Sequence, residues 1–188
     1  MNKLSILIFI ITVITYVHAV AVDVNKLYTR NDGDPIIATV ENEQVFCTFL
    51  PRKAGEEIGA SEDDAIAFCS VQSVNAPNAG LFPEGLVRTM HFEQGDNYVQ
   101  ITGTIDSSKY VVLTDTGGQY DPKAPQGASC HGYDTFVNLV EPNLGDEKNP
   151  SGIGHFCIRC CNGPDADSLC PLNRSTDGCE QIIQGDYS

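Results

Sequence analysis

The sequence predicts a mainly β protein, folded as a single antiparallel β-sandwich or small barrel with long loops and a disulfide-stapled C-terminal tail. Three observations lead to this prediction. Short β-rich runs recur along the chain, 17 glycines and 10 prolines interrupt them, and five of the eight cysteines lie at or after Cys157. No amphipathic run reaches the length of a helix of about 12 residues. This pattern is typical of sandwiches and barrels with irregular connections.

The beginning of the chain has the layout of a secretory signal peptide. Lys3 supplies a positive charge, and residues 4–17 are apolar apart from one serine and two threonines. This apolar core of about 14 residues is shorter than the roughly 20 that cross a bilayer as a helix, which disfavours a membrane anchor. We therefore predict a signal peptide at residues 1–19, cleaved after Ala19, and a secreted, extracellular protein.

Six segments have the composition of strands. The clearest is 98–106, where Val99, Ile101 and Ile105 alternate with polar residues, which is the period of a strand with one wet face. The segments 36–40 and 44–50 are joined by a polar turn and predict a hairpin. The only helical signal is a single turn from Ser61 through Ala67. The remaining predicted strands are 86–92, 110–113 and 133–141.

The cysteines predict four disulfides, because their number is even and disulfides persist outside the cell. Their pairing is left open. Neighbouring cysteines form a strained ring when they bond to each other, so Cys160 and Cys161 are expected to bridge to two different segments. The full set is Cys47, Cys69, Cys130, Cys157, Cys160, Cys161, Cys170 and Cys179.

The cysteine distribution also predicts the organisation of the chain. A β-rich domain covers residues 20–156, and a cysteine-rich tail at 157–188 packs on the same domain. The tail has too little apolar content for a core of its own, so cross-links are expected to hold it to the body. Zinc is the alternative, since Cys157, Cys160, Cys170 and Cys179 could supply four thiolates, but an oxidising compartment favours disulfides.

Several motifs, in this order, resemble a group of secreted, cysteine-rich fungal proteins that occur notably in mucoromycete moulds and are often labelled macrofage-activating-glycoprotein-like. The resemblance runs over most of the chain after the signal peptide. It implies fungal origin and secretion, and the group carries no established enzymatic activity. The motifs are FCTFLP at 46–51, AIAFC at 65–69, NYVQITG at 97–103, GGQYD at 117–121, FVNLVEP at 136–142 and CIRCC at 157–161.

The charge of the chain excludes two classes of partner. The net charge is −14, and removal of the signal peptide takes away Lys3, which leaves −15. Such a chain repels phosphate backbones and anionic lipids, and its basic residues form no cluster. We expect no nucleic-acid partner and no membrane association after signal cleavage.

Two weaker motifs concern metal binding and glycosylation. The loop from Asp115 to Asp121 combines carboxylates with glycines and is a candidate for calcium, although it lacks the spacing of a known calcium loop. The alternative is a plain glycine turn that holds Tyr120 on the sheet. Asn173 begins the only glycosylation sequon. No cofactor is expected.

The three histidines after the signal peptide show no metal-ligand spacing, and ordinary hydrogen-bonded histidines are the simpler interpretation. A bridge that brought Cys130 and Cys157 together would make His131 and His155 neighbours. The third histidine is His91. Catalytic carboxylates are not selected by any motif, and the candidates are Glu84, Glu93, Asp106, Asp115, Asp121, Asp134 and Glu141.

These observations favour a non-catalytic extracellular protein of the fungal cell wall or host interface, which displays loops that bind glycan or protein. The first alternative is an enzyme that acts on wall polysaccharide, which would need two close carboxylates in a groove walled by Tyr98, Tyr120 or Tyr133. The second is a small secreted inhibitor or effector, which a rigid exposed loop at 162–169 would support.

Overall fold

A computed structural model describes residues 33–145, 148, 150–172, 174 and 176–188. The predicted signal peptide at 1–19 and the sequon asparagine Asn173 lie outside these residues. The described chain contains ten strands and two short helices. The strands are β1 Ile36–Ala38, β2 Cys47–Leu50, β3 Ile66–Cys69, β4 Gly80–Leu81, β5 Val87–Gln94, β6 Tyr98–Asp106, β7 Gly118–Tyr120, β8 Ala128–Cys130, β9 Thr135–Glu141 and β10 Ile153–Cys161, and the helices are α1 Ala166–Leu169 and α2 Cys179–Ile182.

A five-stranded antiparallel sheet forms the centre of the molecule, in the order β5-β6-β10-β9-β7. Its middle strand β10 pairs with β6 over their full lengths, from Ile153 opposite Asp106 to Cys161 opposite Tyr98. Successive residues of a strand point to opposite faces, and both faces of this sheet are covered. We call the face that packs on the other strands the front and the face that packs on the C-terminal tail the back.

The front face forms a sandwich with the three-stranded sheet β2-β3-β4 and the parallel pair β1-β8. Aromatic side chains fill the space between the sheets. Phe49 of β2 stacks on Phe136 of β9 with ring centroids 4.9 Å apart, and Phe46 stacks on Phe156 of β10 at 6.0 Å. All four rings are fully buried, so this layer supplies the main hydrophobic stabilisation of the fold.

One buried polar side chain ties the two layers of the sandwich together. Asn138 of β9 is fully buried, and its Oδ1 accepts a hydrogen bond from the Phe49 amide at 2.7 Å. Its Nδ2 donates to the Thr48 hydroxyl and to the Cys157 carbonyl. The side-chain amide of Asn138 therefore joins β9 to both β2 and β10. Its own polar atoms are all hydrogen-bonded, which is the condition under which a buried polar group is tolerated.

The back face packs on a second apolar cluster that involves the tail. Val137, Leu139 and Cys157 project from the sheet, and Ala166, Cys170, Cys179, Ile182 and Ile183 meet them from the tail. This cluster is smaller than the front core, and it contains no buried phenylalanine. Strand β10 includes the first five residues of the predicted tail, so the segment that lies on the sheet begins at Asn162.

Four disulfides form, as predicted, and no described cysteine is free. Cys160 and Cys161 point to opposite faces of β10. The first bonds to Cys130 on the front and the second to Cys170 on the back, which confirms that the two bridge to different segments. Of the other two disulfides, one joins β2 to β3 and the other fastens α2 to the back face: Cys47–Cys69 and Cys157–Cys179.

Two local predictions are wrong. The segment 110–113 is not a strand. It follows a 3₁₀ turn at Ser107–Lys109, and the Val111 side chain is buried in the main core. The helical turn through Ala67 is also absent, because Ile66 and Ala67 pair with Leu50 and Phe49 in β3, and only Gly59–Ser61 is helical. In both places burial against the sheet overrides local propensity.

The fold class is confirmed, since the described residues form a mainly β, sandwich-like arrangement of sheets that do not close into a barrel. Strand β6 has the predicted bounds, and the strands predicted at 86–92 and 133–141 correspond to β5 and β9. The predicted hairpin is present as a turn, with Val40 bridged to Phe46. No helix among the described residues is long and apolar enough to cross a membrane.

Candidate functional site

An open cleft of about 340 Å³ lies where three loops meet at one end of the sandwich. One loop precedes β3, one precedes β7, and the third belongs to the tail before α2. The lining consists of glutamate and threonine side chains and of glycines. The lining residues are Gly59, Glu62, Thr116, Gly117, Gly118, Glu141, Thr176 and Gly178.

Asp115 holds two of these loops together. Its Oδ2 accepts a hydrogen bond from the Ile58 amide at 2.6 Å, and its Oδ1 accepts one from the Gly117 amide at 3.0 Å. Gly117 has a φ of 91°, and a Cβ at this position would lie 2.3 Å from the Val140 carbonyl oxygen. Only glycine fits both the left-handed backbone and this close approach, so the sequence fixes the shape of the cleft wall.

Behind the cleft, Tyr120 anchors the loop that precedes β3. Its ring is fully buried, and its hydroxyl lies 2.8 Å from the Ser61 hydroxyl. Burial is the main cause that raises the pKa of Tyr120 well above the usual tyrosine range. Tyr120 therefore stays neutral and has a structural role. This agrees with the interpretation of residues 115–121 as a glycine turn that holds Tyr120 on the sheet.

The cleft is acidic. Partial burial, followed by the charges of Asp121 and Asp63, raises the pKa of Glu62 above its usual value. In the part of the chain that the structure describes, Glu62 has no basic partner. Glu141, on the other side, accepts a hydrogen bond from the Cys179 amide at 2.7 Å through Oε2. The cleft thus offers carboxylate acceptors, threonine hydroxyls and exposed backbone.

The carboxylates of the predicted calcium loop serve as turn caps. Asp121 accepts hydrogen bonds from Gln119 Nε2 and from the Lys123 amide, just as Asp115 accepts two amides. Both oxygens of each carboxylate are therefore engaged by N–H donors. No group of three metal-ligating side chains is present among the described residues.

The histidines do not converge. The predicted condition for a His131–His155 pair is not met, because Cys130 bonds to Cys160 and Cys157 bonds to Cys179. His155 instead lies 3.6 Å from Glu180 and packs on the ring of Tyr187. His91 contacts the backbone of Ser188 and the carboxylate of Asp186.

Two histidines and two polar strand residues thus hold the last residues of the chain, 184–188, which we call the C-terminal strap. Gln100 donates to the Gln184 carbonyl at 2.8 Å, and Thr102 donates to the Asp186 carbonyl at 2.7 Å. The strap crosses the back face of β6 and, together with Glu180, borders a shallow surface depression of about 460 Å³. Sequence reasoning missed this feature, because nothing in the polar C-terminal residues marks them as docked.

Glu141 lines the cleft, but none of the three tyrosines predicted to wall the groove of a polysaccharide-cleaving enzyme, Tyr98, Tyr120 and Tyr133, does so. Tyr120 is buried, and Tyr98 is covered by the Arg159 guanidinium, 4.6 Å from its ring centre. Most of the candidate carboxylates have structural partners: Glu93 accepts from Tyr98, Asp106 caps Ser108, and Asp134 accepts from the Gly163 amide. The 162–169 loop is closed by one disulfide, Cys161–Cys170, and pinned by Asp134.

Two curated fungal proteins are similar to this chain. Appressorium protein ROW1 of Mycosarcoma maydis is 26% identical over 166 residues, which cover 80% of this chain and 36% of that protein. Appressorium protein ROW2 of the same organism is 28% identical over 142 residues, which cover 71% of this chain and 48% of that protein. The chain therefore spans less than half the length of these relatives.

No family model matches the sequence, and no solved structure matches it. Both relatives are fungal proteins, as the resemblance of the motifs implied. Neither supports the macrofage-activating-glycoprotein label.

Proposed function

We propose that this chain is a secreted, non-catalytic protein of the fungal cell wall or host interface that binds glycan through the loop-lined cleft. Its fungal relatives are named for the appressorium, the cell with which a fungus presses into a host surface. A role at that interface requires a protein that is exported and robust outside the cell. The eight disulfide-bonded cysteines agree with such a location.

The cleft is the observation that carries the glycan proposal. Its volume of about 340 Å³ lies in the lower part of the range for small-ligand sites. Its lining side chains are those of glutamate and threonine, and the glycines between them leave backbone bare, so a hydroxyl-rich ligand can approach the backbone at Gly59 and Gly117. Glu62 and Glu141 would accept hydrogen bonds from sugar hydroxyls, and Thr116 and Thr176 would both donate and accept.

The non-catalytic part of the proposal follows from how the acidic groups are used. A glycosidase needs one carboxylic acid and one carboxylate placed at a set separation across the bond that breaks. Of the two carboxylates that line the cleft, Glu141 is engaged by the Cys179 amide, which leaves Glu62 without a second unengaged carboxylate in the lining. The loops are built to present hydrogen-bonding groups.

The test is a glycan array and a fungal-wall pull-down with the purified protein that lacks residues 1–19. Binding to wall polysaccharide should fall at least about tenfold in Glu62→Gln and in Thr116→Val, a loss of roughly 1.4 kcal/mol or more. Glu84→Gln is the matched control, because Glu84 is an exposed carboxylate that does not line the cleft, and it should bind as the wild type does.

Three results would contradict the proposal. Release of soluble sugar from a labelled polysaccharide would show an enzyme. Unchanged glycan binding in both cleft variants would move the site elsewhere on the surface. Binding to a host or fungal protein with no binding to any glycan would leave protein display as the function.

A further inference from the structure

The outer edge of β5 is unpaired within the part of the chain that the structure describes. β5 is the terminal strand of the five-stranded sheet, and it is eight residues long, from Val87 to Gln94. Natural proteins block such edges with proline, lysine or irregular backbone. β5 has no proline or lysine, and its one irregularity lies at the start, between Val87 and Thr89. The stretch from Thr89 to Gln94 is therefore a regular, open edge.

The hairpin register identifies which backbone groups face outward. The Gly95 amide donates to the Tyr98 carbonyl at 2.9 Å, so Gly95 points toward β6. Because the hydrogen-bonding direction alternates along an antiparallel strand, Glu93 and His91 also point toward β6. The N–H and C=O groups of Met90, Phe92 and Gln94 then point away from the sheet. They form a ready ladder for another strand.

The side chains along this edge also favour a partner strand. Met90 and Phe92 lie on the front face, where they pack against the main core but remain half-buried. An added strand would cover the rest of both side chains. On the back face, His91 and Glu93 lie on either side of Phe92, and His91 also contacts Asp186 and Ser188 of the strap.

We propose that a second copy of this chain pairs with β5, antiparallel to it, with the two-fold axis at Phe92. This register places Phe92 opposite Phe92 of the second copy and Met90 opposite Gln94, so all the outward backbone groups find partners. On the back face it places His91 opposite Glu93 of the second copy. The result is one continuous sheet across two molecules.

Charge favours this edge over the rest of the surface as the point of contact. The chain carries 25 acidic and only 11 basic residues, so two copies repel each other over most orientations. β5 itself contains one arginine and one glutamate, Arg88 and Glu93, while Asp186 of the strap lies 3.7 Å from His91. The strand therefore adds no net charge of its own to the contact, and added salt should strengthen the dimer by screening the acidic charges that remain, Asp186 among them.

The test is sedimentation equilibrium of the protein without residues 1–19, at several concentrations and at about 50 and 300 mM salt. The proposal expects a reversible monomer–dimer equilibrium whose dissociation constant falls at the higher salt. Gln94→Pro removes an outward N–H from an exposed residue and leaves the β5–β6 ladder intact, and it should weaken the dimer at least about tenfold. Met90→Lys places a charge at the edge and should do the same.

Val74→Lys is the matched control for Met90→Lys. Val74 is 93% exposed on a loop outside β5, so this change removes an apolar contact and adds the same charge without touching the edge. It should leave the dissociation constant unchanged. A monomer at every concentration overturns the proposal, and so does a dimer that both edge variants leave intact. Thermal melting of each variant identifies one that has lost its fold, and the other edge variant then decides.

Discussion

The two faces of the five-stranded sheet are both buried, but different forces bury them. The front face is held mainly by stacked aromatic rings, Phe49 on Phe136 and Phe46 on Phe156, with two disulfides on the same side. The back face is held by a small apolar cluster, two disulfides and a set of hydrogen bonds from polar strand residues to the strap. Large buried side chains supply most of the stabilisation on the front, whereas a short, polar tail depends on covalent links to stay in place.

The largest effect should come from the front face. Phe49→Ala removes a fully buried ring that contacts Phe136 and Tyr120, and we expect a loss of about 4 kcal/mol in the free energy of unfolding. Urea denaturation of the oxidised protein measures it. A loss below about 1 kcal/mol would show that the aromatic layer does not dominate the front face.

The next effect should come from the amide that joins the two layers. Asn138→Ala leaves the Phe49 amide and the Cys157 carbonyl buried without their partner, which should cost about 3 kcal/mol. The control is Asn78→Ala, because Asn78 is exposed and its side chain donates one hydrogen bond to the Pro35 carbonyl. This substitution should change the free energy of unfolding by less than about 1 kcal/mol. Equal losses in the two variants would contradict the role of Asn138.

On the back face the effects should be smaller and more local. Arg159 donates to Gln100 and to the Leu169 carbonyl and lies over the Tyr98 ring, and burial lowers its pKa below the usual arginine value. Arg159→Met keeps the packing and removes these contacts, so we expect a loss of about 2 kcal/mol. Hydrogen exchange should show the loss concentrated near α1. A uniform loss over the whole sheet would contradict a local role.

The smallest effect should be a response of the strap to alkaline pH. Burial, followed by the charges of Glu141 and Glu180, raises the pKa of Tyr187 above its usual value of 10.0. Because the pKa is higher in the folded state, burial of the neutral Tyr187 side chain contributes its full stability below about pH 10. That contribution is lost as the pH rises further. Absorbance at 295 nm, compared between wild type and Tyr187→Phe, should show Tyr187 ionising later than an exposed tyrosine. Ionisation near pH 10 would contradict its burial.

The same contrast between faces explains what the sequence could predict. β6 was predictable because its front residues Val99, Ile101 and Ile105 are apolar and its back residues are polar. β10 was not, because Phe156, Cys157 and Ile158 are apolar in succession and the residues from Cys157 onward are assigned by their cysteines to the tail; β9 is also buried on both faces but has a strand-like composition. Strands buried on both sides lose the alternation that identifies a strand.

The candidate site was predictable only in part. The glycines and Asp115 of the loop before β7 were visible in the sequence, but Glu62, Glu141 and Thr176 reach the cleft from distant parts of the chain. Thr176 reaches the cleft because the Cys157–Cys179 disulfide fastens the tail beside β9, and eight cysteines leave the pairing open. The composition of segment 110–113 predicts a strand, because composition does not show that Val111 is buried in the core from an irregular segment.

The central claim is that the front face, with its aromatic core and two disulfides of its own, folds without the docked tail and that the other two disulfides hold the tail to the back. Hydrogen exchange of a variant without both tail disulfides, Cys157→Ala/Cys179→Ala/Cys161→Ala/Cys170→Ala, tests it most directly. Each bridge closes a short loop and contributes about 3 kcal/mol. We predict lost protection in residues 162–188 and retained protection in β2, β6 and β9. A protected tail, or exchange throughout the sheet, would contradict the claim.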